Sequence, residues 1–343
     1  MAPSLSVAAV RLAEERPQSA HYATAWSCPI QFGSRSMQTA FITHAACRGH
    51  DMGAHHPESP QRLGAIEDRL IASGLASVLA RHEAPLATTA QLERVHPLDY
   101  IESIGRAAPS TGLIHLDPDT AMSPGTWEAS LRAAGAVVLA TDLVVSKQVA
   151  NAFCSVRPPG HHAMRARSMG FCLFNNVAVG AMHALVHHGL ARIAIIDFDV
   201  HHGNGTEDIF AGDERVLMVS TFQHPFYPYS GTEQVASNML NVPLAAGSGG
   251  AQFRKVVDEE WLPALDAFAP AMIFISAGFD AHADDDMAML RFTDADYRWV
   301  TERLMGVARR SAAGRIVSVL EGGYDLPALG RSVEQHVRAL AEL

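Results

Sequence analysis

One stretch decides the fold of this chain: it reads RIAIIDFDVHHGNG, at residues 192–205. Its first half is a continuous apolar run, which is typical of a strand covered on both faces and therefore of a parallel sheet. Its second half is polar, so the chain passes from core to chemically capable residues within a few positions. In an open parallel sheet, ligands bind outside the carboxyl ends of the strands. We therefore expect a parallel sheet with a ligand site at this end of the strand.

Similar apolar runs occur along the rest of the chain and predict further strands at residues 39–43, 151–156, 215–220, 271–276 and 315–320. Helical patterns alternate with them, at residues 125–145, 175–188, 250–268, 294–313 and 326–342. This alternation predicts an α/β fold of three layers, in which helices cover both faces of a mostly parallel sheet. No linker or low-complexity tract interrupts residues 37–343, so they are expected to form one catalytic domain.

Composition and charge exclude several classes of protein. The 48% of hydrophobic and 18% of charged residues are ordinary for a soluble globular protein, and no run approaches the roughly 20 apolar residues of a membrane-spanning helix. A net charge of −10, with Lys147 and Lys255 as the only lysines, leaves no basic stripe for direct nucleic-acid binding. The 4 cysteines form no CxxC pair, which favours a reducing compartment, so we expect the cytoplasm. Residues 1–36 are rich in Ala, Ser and Pro and are expected to be a flexible N-terminal extension. The sequence leaves open whether the chain forms a homo-oligomer.

Three carboxylates and a histidine stand where strands end. Asp197, Asp199 and His201 are spaced two apart, so on an extended chain they lie on one face, and Asp280 follows another apolar run. Burying such carboxylates is costly unless a cation or strong donors stabilise them. The sequence therefore predicts a catalytic metal site formed by Asp199, His201 and Asp280, with the remaining coordination positions open to water and substrate. The ion would be zinc, or Fe²⁺ or Co²⁺. Taken singly, the aspartates could equally be helix caps and His201 a loop histidine.

Two other predicted strands also end in residues suited to catalysis. His161 and His162 follow the run at 151–156, and a neutral imidazole beside a metal can take a proton from water and return it to a leaving amine. Asp197 and Asn204 are natural partners that would set the ring tautomers. Tyr324 follows two glycines, which predict a flexible tip able to swing toward a substrate carbonyl. A surface tyrosine that packs its ring on the loop is the alternative.

These motifs together resemble the histone deacetylase superfamily, which includes bacterial histone deacetylase-like and acetylpolyamine amidohydrolases. The resemblance covers residues 41–340 and rests on six motifs in order: HPESPQR at 56–62, RPPGHH at 157–162, GF at 170–171, DFDVHHGNG at 197–205, AGFD at 277–280 and EGGY at 321–324. The HHGNG form is similar to that of the class II branch. The resemblance implies an arginase/deacetylase-like fold and a metal-dependent hydrolase that acts on linear amides.

The resemblance also implies a role for each matching residue. Asp199, His201 and Asp280 would bind zinc, and His162 would be the general base and acid. His161 with Asp197 would act as an electrostatic partner, Asn204 belongs to the same catalytic group, and Tyr324 would hydrogen-bond the scissile carbonyl. A narrow substrate channel would be lined by Phe171, Tyr227, Gly170, Met287 and Gly322. A K⁺ or Na⁺ ion would bind beside the zinc, through Asp197, Asp199, His201, Ser220 and Thr221.

The expected reaction is the hydrolysis of an acyl group, above all acetyl, from a lysine side chain in a peptide or from a related small acyl amine. An acetylated polyamine is the rival substrate, although the acidic gatekeeper of polyamine-selective relatives is replaced here by Met287, with Asp284 to Asp286 close by. Arginase-like enzymes hold two manganese ions at Asp-x-His-x-Asp sites, whereas Gly203 stands two after His201. A non-catalytic acyl-binding pseudoenzyme would be expected to lose a ligand, a histidine or the tyrosine, and all are present.

Overall fold

The computed structural model describes Met1 and residues 37–343. The flexible extension expected at residues 1–36 lies outside the described part, apart from Met1. The strands are β1 Thr39–Thr43, β2 Ala80–Glu83, β3 Ile114–His115, β4 Ala121–Met122, β5 Asn151–Cys154, β6 Ile193–Asp197, β7 Val216–Gln223, β8 Met239–Leu244, β9 Met272–Ala277 and β10 Ile316–Leu320. The helices are α1 Gln61–Ala72, α2 Thr89–Leu92, α3 Leu98–Ala107, α4 Thr126–Val145, α5 Asn176–Val186, α6 Asn204–Phe210, α7 Gly250–Val256, α8 Leu262–Phe268, α9 Asp294–Ser311 and α10 Leu326–Leu340, and a π-helical turn at Val257–Trp261 joins α7 to α8.

Eight strands form one sheet in the order β2-β1-β5-β10-β9-β6-β7-β8, and β3 and β4 form a separate antiparallel pair. All neighbours in the large sheet are parallel, so the carboxyl ends of its strands meet at one edge. Every residue of β5, β6, β9 and β10 is buried, because α4 and α5 cover one face while α9 and α10 cover the other. The predicted three-layer α/β fold is confirmed.

The two strands at the ends of the sheet were not predicted. The residues of β2 are alternately half-buried and exposed, and β8 is only partly buried and contains Pro243. Edge strands of this kind lack the continuous apolar run by which the central strands were recognised, and proline is tolerated in them because one side of the strand has no partner.

The strand order reverses between β6 and β9. The chain runs outward from β6 through β7 to β8 and then returns, so that β9 pairs with the other side of β6. Such a reversal is the topological switch point at which open α/β sheets bind ligands. Asp197, the last residue of β6, lies opposite Ser276 of β9, so the segments that follow the two strands start side by side.

None of the helices within residues 37–343 combines the length and the hydrophobicity that a membrane-spanning segment requires.

Candidate active site

Three potential metal ligands meet at the switch point between β6 and β9. Asp199 and His201 follow β6 and Asp280 follows β9, with relative exposures of 1%, 8% and 1%. Nδ1 of His201 lies 2.9 Å from Oδ1 of Asp199 and 3.3 Å from Oδ2 of Asp280. The structure thus brings together the three residues that the sequence predicted as ligands, within 4.8 Å of one another.

These side chains fit a small divalent cation. Oδ2 of Asp280 is buried without a hydrogen-bond partner, which is costly unless a cation satisfies it. Gly278 and Gly322 make room, since a Cβ at either position would collide with the carboxylate of Asp199 or Asp280. Burial, together with the charge of Asp199, raises the pKa of Asp280 to about 6, so the two carboxylates repel each other. A cation held by two carboxylates and an imidazole would relieve this repulsion, and the donor set suits zinc.

His161, which follows β5, lies between two carboxylates at the end of β6. Its Nδ1 is 3.0 Å from Oδ2 of Asp197, and its Nε2 is 3.8 Å from Oδ1 of Asp199. Burial by itself would lower the pKa of His161, but the charges of Asp197 and Asp199 raise it to about 10. In this arrangement the His161 ring is held protonated and positively charged.

The neighbouring ring of His162 has the opposite character. Its Nδ1 lies 2.7 Å from the amide oxygen of Asn204, which can only accept, so Nδ1 carries the ring proton and Nε2 keeps a free lone pair. Burial, followed by the positive charges of His161 and His201, lowers the pKa of His162 well below its ordinary value. The adjacent rings of His161 and His162, with centroids 4.0 Å apart, are therefore one charged and one neutral imidazole.

Tyr324 follows β10 in a loop that is tied down, so the predicted flexible tip is wrong. The main-chain NH of Tyr324 donates to Oδ2 of Asp285 at 2.6 Å. The guanidinium of Arg62 donates to the carbonyl of Gly323 at 2.6 Å and lies 5.0 Å from the centre of the tyrosine ring. Burial, with the negative charge of Asp280, raises the pKa of the Tyr324 hydroxyl. The hydroxyl therefore stays protonated and can donate a hydrogen bond.

A cavity of about 200 Å³ opens onto these groups. All five residues predicted to contact substrate line it: Phe171, Tyr227, Gly170, Met287 and Gly322. The rings of Phe171 and Tyr324 meet edge to face with centroids 6.2 Å apart, and Tyr227 meets His162 in the same way at 5.3 Å. An aromatic-lined cavity that leads to a few polar groups is suited to an apolar arm with a reactive end.

Comparison with known proteins agrees with this geometry: residues 56–340 match the model of the histone deacetylase domain. The chain belongs to the histone deacetylase family. A histone deacetylase-like amidohydrolase of Pseudomonas aeruginosa is 36% identical over 311 residues, which cover 84% of this chain and 82% of the relative. Chloroplastic histone deacetylase 14 of Arabidopsis thaliana is 38% identical, with 86% and 75% covered.

A solved structure, that of the HDA15 HD domain, is similar with a TM-score of 0.84 and 31% identity, over 89% of this chain and 88% of that one. A deacetylase-like fold is therefore confirmed for this histone deacetylase family member. The expected class of enzyme, a hydrolase of the deacetylase type, is confirmed as well.

Asp119 is part of the cavity wall of this deacetylase-family site and was missed by sequence reasoning. It lies between β3 and β4, and its Oδ1 accepts the main-chain NH of Gly170 at 3.1 Å. Burial alone would raise the pKa of Asp119, but the Tyr227 hydroxyl and the main-chain NH of Gly170 stabilise its charged form and lower the pKa, so the carboxylate is ionised. An Asp-Pro-Asp turn is typical of surface loops, and nothing in the sequence connected it to the site.

Two buried carboxylates position the histidine loop. Both oxygens of Glu58 accept from Arg157 at 2.5 Å, and Arg62 donates to Glu58 at 3.1 Å. Glu321 accepts the main-chain NH groups of residues 160–161, at 2.6 and 3.1 Å. The motifs HPESPQR, RPPGHH and EGGY therefore meet in space. Their charged residues, which the sequence analysis left without a role, anchor the loop that carries the catalytic candidates.

The residues expected to hold a monovalent cation lie on β6, β7 and the segment after β6. Asp197 and Ser220 are partners across the β6–β7 pair, and the Ser220 hydroxyl donates to the amide oxygen of Asn241 at 2.7 Å. Successive side chains of a strand point to opposite faces, so Thr221 could reach an ion beside Asp197 only through its main chain. Its buried hydroxyl has no hydrogen-bond partner.

Proposed function

We propose that residues 37–343 are the catalytic domain of a zinc-dependent deacylase that hydrolyses acyl-lysine side chains or related acyl amines. The observation that carries this proposal is the buried trio Asp199, His201 and Asp280, whose His201 lines the same cavity as the neutral imidazole of His162 and Tyr324. A zinc-class cation held by the trio would supply Lewis acidity, which lowers the pKa of water and polarises an amide carbonyl. Fe²⁺ or Co²⁺ would suit the same donors.

His162 moves the proton in this proposal. Because Asn204 keeps the ring proton on Nδ1, the free Nε2 of His162 can accept a proton from the attacking water. The same nitrogen then returns the proton to the departing amine. His161 remains charged beside Asp197, and its positive charge favours the negative charge that develops on the substrate.

Tyr324 supplies the hydrogen bond to the substrate carbonyl. As the carbonyl oxygen gains negative charge, the bond that the hydroxyl donates becomes stronger. The loop is held by Asp285 and Arg62, so little reorganisation is needed at the moment of reaction. The products are a carboxylate, acetate for an acetyl group, and a free amine.

An acyl-lysine is favoured over an acylated polyamine by the residues at the cavity mouth. Met287, which lines the cavity, is apolar and does not select a cationic amine. Of the three nearby acids, Asp285 is buried and accepts three main-chain NH groups, and Asp284 pairs with Arg331 at 2.7 Å. The third, Asp286, is exposed and does not line the cavity. The gatekeeper position therefore offers no free carboxylate.

The ionised carboxylate of Asp119 keeps an acetylated polyamine as the second candidate, because it lies on the cavity wall and could attract a cationic amine. Comparing kcat/KM of the zinc-loaded chain for an acetyl-lysine peptide and for acetylputrescine separates the two. We expect the peptide to be preferred. The reverse preference would assign the polyamine, whereas no turnover on any member of a panel of acyl-lysines and acyl-polyamines would support an acyl-binding pseudoenzyme.

The metal is tested by removal. Treatment with a chelator is expected to abolish hydrolysis, and readdition of Zn²⁺, Fe²⁺ or Co²⁺ separately identifies the ions that restore it. The absence of a second carboxylate at Gly203 supports one ion in this site rather than an arginase-like pair. Activity that survives complete chelation would refute a metal-dependent reaction.

A K⁺ or Na⁺ ion beside the trio and a cytoplasmic location complete the proposal. The pairing of Asp197 with Ser220 supports the ion, and dependence of activity on potassium concentration tests it.

Cys47, Cys154 and Cys172 are buried free thiols, which suits a reducing compartment. Whether the chain works as a homo-oligomer is testable by light scattering.

A further inference from the structure

A second cluster of metal-ligating side chains lies outside the cavity, and the proposed reaction does not use it. Asp142 is in α4 and His183 in α5, while His187 and His188 directly follow α5. One ligand atom from each of the four lies within 4.8 Å of the other three. Apart from the trio in the cavity, this is the only such group among the residues that the structure describes.

The imidazoles already converge on the carboxylate. Nε2 of His183 and Nε2 of His188 each lie 2.7 Å from the same oxygen, Oδ1 of Asp142. The ring of His187 stacks on that of His183 with centroids 4.7 Å apart, and lies 4.9 Å from that of His188. Three imidazoles and one carboxylate are a suitable donor set for Zn²⁺, and also for Ni²⁺ or Cu²⁺.

The position at the end of α5 suits a cation. His183 and His187 are four residues apart and so lie on the same side of the helix. The carbonyl groups at a helix C-terminus carry partial negative charge. His183 is 3% exposed, whereas the side chain of Asp142 is 45% exposed. One ligand is therefore held in place by packing while the site stays open to solvent.

We propose that Asp142, His183, His187 and His188 form a second site for a Zn²⁺-class ion, separate from the catalytic centre. The segment after α5 leads into the amino end of β6, so the site lies at the edge of the sheet opposite the cavity. Helix α5 has 11 residues and spans about 16 Å between the two edges. The bound ion links α4 to α5 and stabilises the layer that covers this face of the sheet.

Arg94 competes with the ion. Its Nη1 lies 2.5 Å from Nδ1 of His183, and because a guanidinium only donates, the ring proton of His183 must be on Nε2, facing Asp142. Coordination through Nε2 requires that proton to move to Nδ1, which breaks the contact with Arg94. Removing the Arg94 guanidinium is therefore expected to strengthen metal binding, on the order of tenfold, the scale of changes next to a ligand.

Zinc bound per chain, measured by elemental analysis of the full chain after dialysis against micromolar free Zn²⁺, tests the proposal. The double variant His187→Ala, His188→Ala is expected to bind one zinc fewer than the wild type. The control is His115→Ala, an exposed histidine in β3, which is expected to bind as many as the wild type. The readout is a difference between variants, so it does not depend on whether the catalytic site fills.

Two further measurements complete the test. Zn²⁺ should raise the Tm of the wild type more than that of the double variant. Arg94→Ala should bind Zn²⁺ at the second site more tightly than the wild type does. Asp142→Asn replaces the double variant should that variant not fold. Equal zinc content in wild type and cluster variants, or an equal loss in His115→Ala, would overturn the second site. A wild type that binds zinc at the second site but hydrolyses no acyl-lysine or acyl-amine substrate would count against the proposed function alone.

Discussion

Replacing Tyr324 by phenylalanine tests the reaction most directly. The substitution removes one hydroxyl and leaves the ring, which keeps its edge-to-face contact with Phe171 and its place 5.0 Å from the Arg62 guanidinium. The main-chain bonds that hold the loop do not involve the hydroxyl. Fold, cavity and metal ligands are therefore expected to be unchanged, and only the hydrogen bond to the carbonyl oxygen is lost.

The expected loss follows from the role of that single donor. Removing one hydrogen bond to a developing oxyanion lowers kcat by roughly 10²–10³, which corresponds to about 2.7–4 kcal/mol. Burial keeps the Tyr324 hydroxyl protonated, and the anchored loop places it before substrate arrives. The bond strengthens in the transition state, so the loss should fall on kcat and leave KM nearly unchanged.

The assay is steady-state hydrolysis of an acetyl-lysine peptide by zinc-loaded wild type and Tyr324→Phe, with zinc content measured on the same samples. Tyr229→Phe is the matched control, because Tyr229 is 75% exposed and is not one of the residues that line the cavity. We expect the control to match the wild type. A kcat of Tyr324→Phe close to that of the wild type, at equal zinc content, would refute the role of the hydroxyl.

Three further predictions concern metal binding and stability. Gly322→Ala places a Cβ against the metal-site carboxylates and should lose zinc by elemental analysis, whereas Gly64→Ala, whose Cβ meets nothing, should keep it. Glu58→Gln leaves the buried Arg157 without its counter-charge, so the free energy of unfolding in urea should fall by about 3–5 kcal/mol; an unchanged value would contradict this. Burial lowers the pKa of His96 from 6.5 to about 4 in the folded chain. Between these two pH values the unfolded chain binds a proton at His96 and the folded chain does not, so the free energy of unfolding decreases as the pH falls from 6.5 toward 4. We expect a loss of about 2 kcal/mol between pH 7 and pH 5, and a flatter profile in His96→Gln.

Local patterns were sufficient for the centre of the sheet and for the ligand trio. The runs that became β6 and β9 are apolar throughout because both of their faces are covered, and such burial is visible along a few consecutive residues. The two-residue spacing of Asp197, Asp199 and His201 also pointed to one site, although β6 ends at Asp197 and the other two residues lie in the bend that follows it. The resemblance supplied the roles of the remaining site residues, which spacing alone left open.

Other features depend on contacts that no local pattern encodes. Asp119 reaches the cavity from a short turn, and the tip that carries Tyr324 is held by Arg62 from α1, so its two glycines did not make it flexible. Edge strand β8, with an exposed side and a proline, gave no strand signal. For Asp119 and for the Tyr324 loop, the contacting residue comes from a distant part of the chain.

The sequence by itself determined the central strands and the reactive side chains at their ends, because apolar runs and short spacings are local properties. Only the tertiary structure decided which of these side chains became neighbours. Asn204 sets the tautomer of His162 across 42 residues, and Asp142 meets His183 across 41. Both contacts depend on the order of the strands and the packing of the helices. These arise from burial of the whole core rather than from any single segment.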